Sequence, residues 1–173
     1  MNVRKANEND IMRILELLNQ VLEVHVTIRP DLFTKGKTKY NKDELLSIIN
    51  DDKKPVYVAE EDGEVLGYCF CIIKDVNLDK NVDNCKTLYI DDLCVDEKYK
   101  NRHIGKALLE YVKDVAKSID VKYITLNVWE GNDIAKIFYE KNGFGIRKTE
   151  MEYKIWLNGT FQIKRTFRTQ ALL

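Results

Sequence analysis

Ile11, Ile14, Leu15, Leu18, Val21 and Leu22 recur at intervals of three and four, the spacing that lines one face of a helix. Asn7 and Asp10 stand just before that stripe as a capping pair, so the pattern predicts a helix to about His25 behind a short strand at residues 2–6. Asn41 and Glu44 repeat the capping signal for a second, short helix through Ile49. The period then changes. Residues 55–61 and 64–74 flank Asp62-Gly63, a pair suited to the positive φ angles of a two-residue turn, so an antiparallel hairpin is expected. Residues 87–95 form another β-rich run, after which Ala107, Leu108, Tyr111, Val112 and Val115 return to helical spacing over roughly residues 103–118. Residues 121–128 read as a strand, and Ile134, Ala135, Ile137 and Phe138 give residues 133–141 an apolar helical face that Asn142-Gly143 stops. Residues 144–155 are expected to form a closing hairpin.

The order β-α-α-β-β-β-α-β-α-β-β belongs to one mixed α/β domain, in which the strand, helix and strand of residues 87–128 make a right-handed crossover with parallel pairing. Two connections carry no period. Residues 27–39 hold Arg29, Pro30, Asp31, Phe33 and Gly36 in a loop of lid character, and residues 75–86 form an exposed loop of mixed charge. The domain ends near residue 155, and residues 156–173 form a basic, partly apolar tail with no assigned role.

Charge narrows the list of partners. Lys plus Arg and Asp plus Glu each number 28, so no global basic excess points to nucleic acid or to an anionic membrane. The longest apolar run, residues 65–73, is too short to span a bilayer as a helix, and the N-terminus is charged where a signal peptide is apolar, so a cytoplasmic protein is expected. Cys69, Cys71, Cys85 and Cys94 lack the paired spacing of a zinc site, and no metal is expected. Cys69 and Cys71 are two apart in a strand pattern and share a face, as small core residues of a reducing compartment would.

Candidate chemistry concentrates at residues 87–113, where a strand, a short polar loop and a helix start follow one another. The first N–H groups of a helix have no internal partner and lie at the positive end of its dipole, so such a turn can hold a phosphate by backbone. Lys98, Lys100 and Arg102 add positive charge, and Gly105 permits close approach. A plain strand-to-helix connection has the same outline, and the turn alone does not choose between them.

The run Lys100, Asn101, Arg102, His103, Ile104, Gly105 resembles the acyl-CoA-binding signature of the GCN5-related N-acetyltransferases: Gln or Arg, two residues, Gly, one residue, then Gly or Ala. Lys100 stands for the Gln or Arg and His103 for the first glycine, while Gly105 matches. A second stretch, residues 127–144, places Asn132, Ala135, the pair Phe138-Tyr139 and Gly143-Phe144 in the family's order. The resemblance spans roughly residues 1–155 and is strongest over 89–144.

What the resemblance implies is the acyl-CoA N-acyltransferase fold: α/β, with a mixed, centrally splayed β-sheet flanked by helices. Acetyl-CoA would be the co-substrate, its pyrophosphate on the N–H groups of Arg102, His103, Ile104, Gly105 and Lys106, beside Lys100 and Asn101. Backbone groups of Leu93, Cys94 and Val95 would pair with the pantetheine amides, which Asn132 would also bond. Tyr139 would protonate the departing thiolate; packing beside Phe138 is its plainer reading. An amine nucleophile must shed a proton, and Asp91 or Asp92 is the candidate base, one only because neighbours in a strand alternate faces. The expected function is transfer of an acetyl group from acetyl-CoA directly to a primary amine of a small molecule or peptide. The alternatives are a non-catalytic acyl-CoA-binding sensor and an interaction domain without cofactor; a homodimer is left open. The amine itself has no motif, since its choice falls to the loops at residues 27–40 and 75–86.

Overall fold

A computed structural model describes residues 1–76 and 85–155. Five strands, β1 (Asn2–Lys5), β2 (Val56–Glu61), β3 (Glu64–Val76), β4 (Cys85–Val95) and β5 (Tyr123–Leu126), lie side by side in chain order. The first four are mutually antiparallel, and β4 pairs with β5 in parallel. The β2–β3 turn has Asp62 at φ 53° and Gly63 at φ 81°, the paired left-handed residues that match a hairpin's twist.

Helices cover both faces. On one side α1 (Ile11–Ile28) and α2 (Lys42–Ile49) bury Ile11, Ile14, Leu18 and Leu45 against Val58, Tyr68 and Phe70. On the other, α3 (Ile104–Ser118) sets Leu108, Leu109 and Val112 on Cys69, Leu88 and Ile90, and α4 (Asp133–Lys141) adds Phe138 and Tyr139 at the edge of that core. Both capping boxes form. Asn7 accepts from Asn9 N at 2.9 Å while Asp10 accepts from Asn7 N at 2.8 Å, and Asn41 and Glu44 make the reciprocal pair at 2.9 and 2.8 Å. Cys69 and Cys71 are buried with sulfurs 3.8 Å apart, on the shared face that their spacing requires.

Several boundaries differ from the sequence expectation. α1 runs three residues past His25, so the lid-like loop starts later. β3 and β4 continue through the Asp75–Lys86 and Val76–Cys85 pairs, where a loop was expected at residues 75–86. β5 is only four residues, and residues 127–128 leave the sheet. The closing hairpin is absent from the described residues: 144–155 contain no strand and lie largely exposed. Helix α4 instead ends in a wrapped turn, with Gly143 at φ 90° and N–H groups of Gly143 and Phe144 returning to the carbonyls of Glu140 and Tyr139 at 3.1 Å each. The tail at 156–173 falls outside the described residues.

Candidate active site

The site begins with one extra residue. Along β3 and β4 the register pairs Phe70 with Asp92 but Cys71 with Ile90, leaving Asp91 as a β-bulge. Alternation therefore changes parity. Leu88 and Ile90 face α3 below the bulge, whereas Leu93 and Val95 face α3 above it and Cys94 turns to the α1 side. Asp91 and Asp92 consequently share the α1 face. The expectation that neighbouring acids point to opposite sides fails here, because a bulge is the one place in a strand where two successive side chains turn the same way.

The bulge also opens the sheet. β5 pairs with Thr87, Leu88, Tyr89 and Ile90 and no further, so the β4 edge from Asp91 to Val95, on which alternate residues present N–H and C=O groups, has no β5 partner. The sheet is thus splayed between its fourth and fifth strands.

On the α1 side of this opening, the Lys39 ammonium sits 2.8 Å from Asp91 Oδ2 and 3.8 Å from Asp92 Oδ2. Asp92 is nearly enclosed, its side chain 10% exposed, and Tyr68 donates its hydroxyl to Asp92 Oδ2 at 3.2 Å. Burial raises the Asp92 pKa to about 6, against the opposing pull of Lys39 and Tyr68. Such a carboxyl is charged at neutral pH yet basic enough to accept a proton. Burial pulls the Lys39 pKa down, but Asp92 and Asp91 more than offset it, so the amine stays an ammonium. Aromatic rings build the surrounding wall: Tyr40 stacks on Phe70 at 5.9 Å, His25 lies on Phe33 at 4.8 Å, and Phe33 meets Trp129 edge-on at 5.6 Å. His25 is half-buried with its pKa lowered by burial and by Lys39, so it is a neutral packing ring.

On the α3 side, the strand-to-helix turn is pinned from below. Buried Asp96 pairs with Arg13 of α1 and accepts from Lys98 N at 2.9 Å, while Tyr99 donates to Glu64 at 2.9 Å and Arg102 pairs with Glu61. Arg102 is thus held by the hairpin, and Lys100 and Asn101 lie on the exposed outside of the turn with Lys106. His103 takes φ 59°, ψ 14° and gives α3 no side-chain cap, so the first N–H groups of α3 have neither an internal nor a capping partner. A helical His103 was expected. It is instead left-handed, the conformation in which a glycine costs nothing, and Asn101 at φ 64° is left-handed as well. His103 followed by helical Ile104 makes the concave arrangement of N–H groups that cradles anions.

Gly105 sits at the start of α3 facing α4. A Cβ there would meet Phe138 Cζ at 3.4 Å and Val95 Cγ2 at 3.5 Å, ordinary contact distances that leave no room for a branched side chain. Asn132 also does local work: its side-chain oxygen accepts from Ala135 N at 3.2 Å and caps α4, a bond that leaves its amide donors uncommitted. One helix later, Tyr139 lies between Phe138 and Phe144, at ring separations of 5.1 and 5.5 Å. Burial pushes its phenol well above the ordinary value, and Cys69 and Asp92 add to the shift, so Tyr139 keeps its hydroxyl proton at neutral pH. Cys94 is inert: burial raises its thiol to about 12 and its sulfur lies 3.6 Å from the Leu17 carbonyl oxygen.

Comparison with known proteins decides the family. The profile of the acetyltransferase (GNAT) family matches residues 18–144, well over half of the chain. The chain belongs to the GNAT family. It is 26% identical over 146 residues, 76% of its length and 83% of the relative's, to an uncharacterized N-acetyltransferase of Lactobacillus delbrueckii subsp. lactis. Its fold superposes on a mutant BH1408 protein from Bacillus halodurans with a TM-score of 0.86 and 30% identity, covering 90% of this chain and all of that one. An aminoglycoside acetyltransferase from an uncultured soil metagenomic sample, crystallised with sisomicin, shares the fold at a TM-score of 0.67 and 17% identity, over 91% of this chain and 96% of that one.

As a GNAT protein the chain is an acetyl-CoA-dependent acyltransferase. The GNAT fold also accounts for the splayed sheet. Among the described residues no group of three or more His, Cys, Asp or Glu gathers to hold a metal, and no helix is long and apolar enough to cross a membrane. Sequence reading missed Lys39, Tyr68, Tyr40 and Trp129. Lys39 and Tyr40 end the segment of residues 27–40, and no motif there announces an ion pair with β4.

Proposed function

We propose that this protein transfers the acetyl group of acetyl-CoA directly to a primary amine, with the two substrates entering from opposite faces of the sheet and meeting where β4 parts from β5. The observation that carries this reading is the bulge at Asp91. It frees the β4 edge on one side and turns a buried carboxyl toward the other. The pyrophosphate is held by the uncapped start of α3 around His103, Ile104, Gly105 and Lys106, with Lys100, Asn101 and Arg102 framing the turn. The β4 edge over Leu93, Cys94 and Val95 offers backbone groups without a β5 partner to the pantetheine amides, and Asn132 offers its amide donors.

The residues divide the proton work. Asp92, with Tyr68 and Lys39 fixing its carboxylate, takes a proton from the incoming ammonium, since only the free amine has the lone pair needed for attack. Asp91 lies beside it and favours a cationic acceptor. Tyr139 supplies a hydroxyl to the sulfur as the C–S bond breaks. Its raised pKa makes complete transfer uphill, so its hydrogen bond to the thiolate carries most of its effect. The aromatic wall of Phe33, Tyr40 and Trp129 favours an acceptor with an apolar body attached to its amine.

The test is release of free thiol from acetyl-CoA across monoamines, polyamines, amino acids, peptide N-termini and aminoglycosides, the last because a fold relative was crystallised with sisomicin. Turnover with at least one amine, lost in Asp92→Asn while CoA still binds, is the expected result. Binding of CoA without thiol release for any amine would favour a sensor instead.

A further inference from the structure

The acceptor side already holds a primary amine. Lys39 comes from the segment between α1 and α2, and its ammonium rests on the acid pair that the bulge turns to that side. Its side chain remains 40% exposed, so it is not locked into the core. Its ammonium lies over the Tyr40 ring, 5.4 Å from the centroid, and Tyr40 stacks on Phe70, the residue paired with Asp92. Lys39 is therefore delivered to Asp92 by packing as well as by charge.

We propose that Lys39 is a self-acetylation site: the protein's active centre transfers an acetyl group to its own Lys39 Nζ. The inference rests on the acetyl-transfer reading above. The Lys39 ammonium gives one proton to the Asp92 carboxylate. Its nitrogen lone pair then attacks the thioester carbonyl carbon, the C–N bond forms, and the C–S bond breaks with its electron pair on sulfur. The second nitrogen proton is lost and the thiolate gains one, from Tyr139 or solvent, so the products are an Nε-acetyl-lysine, CoA thiol and one released proton. Acetylation removes the Lys39 charge, ends its ion pairs with Asp91 and Asp92, and leaves the acid pair open to an external cation.

The experiment incubates the purified full chain with acetyl-CoA and no added amine, and follows each lysine by peptide mass mapping at two protein concentrations. Lys39 should gain one acetyl group about tenfold or more faster than any other lysine, at a rate independent of protein concentration, because proximity makes the step intramolecular. Asp92→Asn should slow that gain by about 10²-fold with CoA affinity retained, and Lys39→Arg, which keeps the charge but has no primary amine to acetylate, should abolish the fast phase. A Lys39 rate equal to that of the surface lysines, a rate proportional to protein concentration, or an unchanged rate in a folded Asp92→Asn protein overturns the proposal. Thiol release with external amines is measured in parallel. Release without Lys39 acetylation overturns this inference and leaves the acetyl-transfer reading standing; fast Lys39 acetylation without release supports it and removes the external acceptor; neither reaction overturns both.

Discussion

The two sides of the β4 opening are built by different means. On the α3 side the site is made almost wholly of backbone: the unpaired edge of β4, the left-handed His103 and the uncapped first turn of α3. On the α1 side it is made of side chains that come from distant parts of the chain. Lys39, Tyr40, Tyr68, Asp91 and Asp92 meet there through ion pairs and ring contacts. A backbone site can bind the invariant part of a co-substrate with few specific residues, because N–H groups are present at every position. A side-chain site must be assembled for each acceptor, and its charges are costly to bury unless paired. The donor side should thus tolerate substitution of its side chains, while the acceptor side should not.

The largest expected effect tests the acceptor side. Asp92→Asn keeps the shape and the neighbours of the carboxyl but removes the base, so kcat/KM for the amine should fall by about 10²–10⁴-fold with CoA affinity nearly unchanged. In the parent enzyme the same group should give an acid limb: with its pKa raised to about 6, Asp92 is a base above that pH, and kcat/KM should drop progressively below it. The linkage has a definite sign. The folded pKa lies above the unfolded one, so the fold gains stability from protonating Asp92 as pH falls through about 6, and that gain is absent in the Asn variant. Matching stability curves for the two proteins between neutral and mildly acidic pH would remove Asp92 from its buried setting.

Tyr139→Phe comes next. One hydroxyl is lost with almost no change in volume, so CoA affinity should hold while kcat falls, nearer about 10²-fold than 10⁴-fold because a phenol with so high a pKa gives up its proton reluctantly. The comparison is read by single-turnover kinetics; an undiminished chemical step would leave Tyr139 as a ring packed between Phe138 and Phe144.

The remaining pair tests the donor side. Gly105→Val places a branched side chain against Phe138 and Val95, which already stand 3.4 and 3.5 Å from the position of a Cβ. Overpacking of this kind costs about 1–3 kcal/mol, and it should displace α4, so chemical denaturation and CoA titration should both show a loss. His103→Gly should do the opposite to stability. It relieves a left-handed residue worth about 1 kcal/mol, offset in part by the entropy of glycine, and should leave CoA binding within a small factor because the N–H group is retained. A severe loss of CoA affinity in this variant would assign the imidazole itself to the phosphate.

Much of the scaffold was legible in the chain. Residues that act through local rules declare themselves: the apolar stripe from Ile11 to Leu22, the boxes at Asn7 and Asn41, and the Asp62-Gly63 turn all depend on neighbours within a few positions, and each formed as expected. The proposed donor side shares this property, because a strand followed by a basic turn and a helix start is a local arrangement. Even there, the contacts of Gly105 with Phe138 and Val95, and of Asn132 with the start of α4, come from the fold and not from the local pattern.

Tertiary structure alone decided the acceptor side. A strand read by alternation sends Asp91 and Asp92 to opposite faces; only the pairing of β4 against β3 shows the extra residue that reverses the parity. Lys39 is 52 positions from Asp91, and no local period joins them. The closing hairpin failed for the same reason in reverse. Residues 144–155 have apolar members enough for a strand, but a strand exists only where a partner edge meets it, and β5 pairs with β4 over only four residues. Local sequence fixes what depends on neighbours along the chain, whereas register, ion pairing across a loop and the meeting of two faces depend on where the folded chain brings distant residues together.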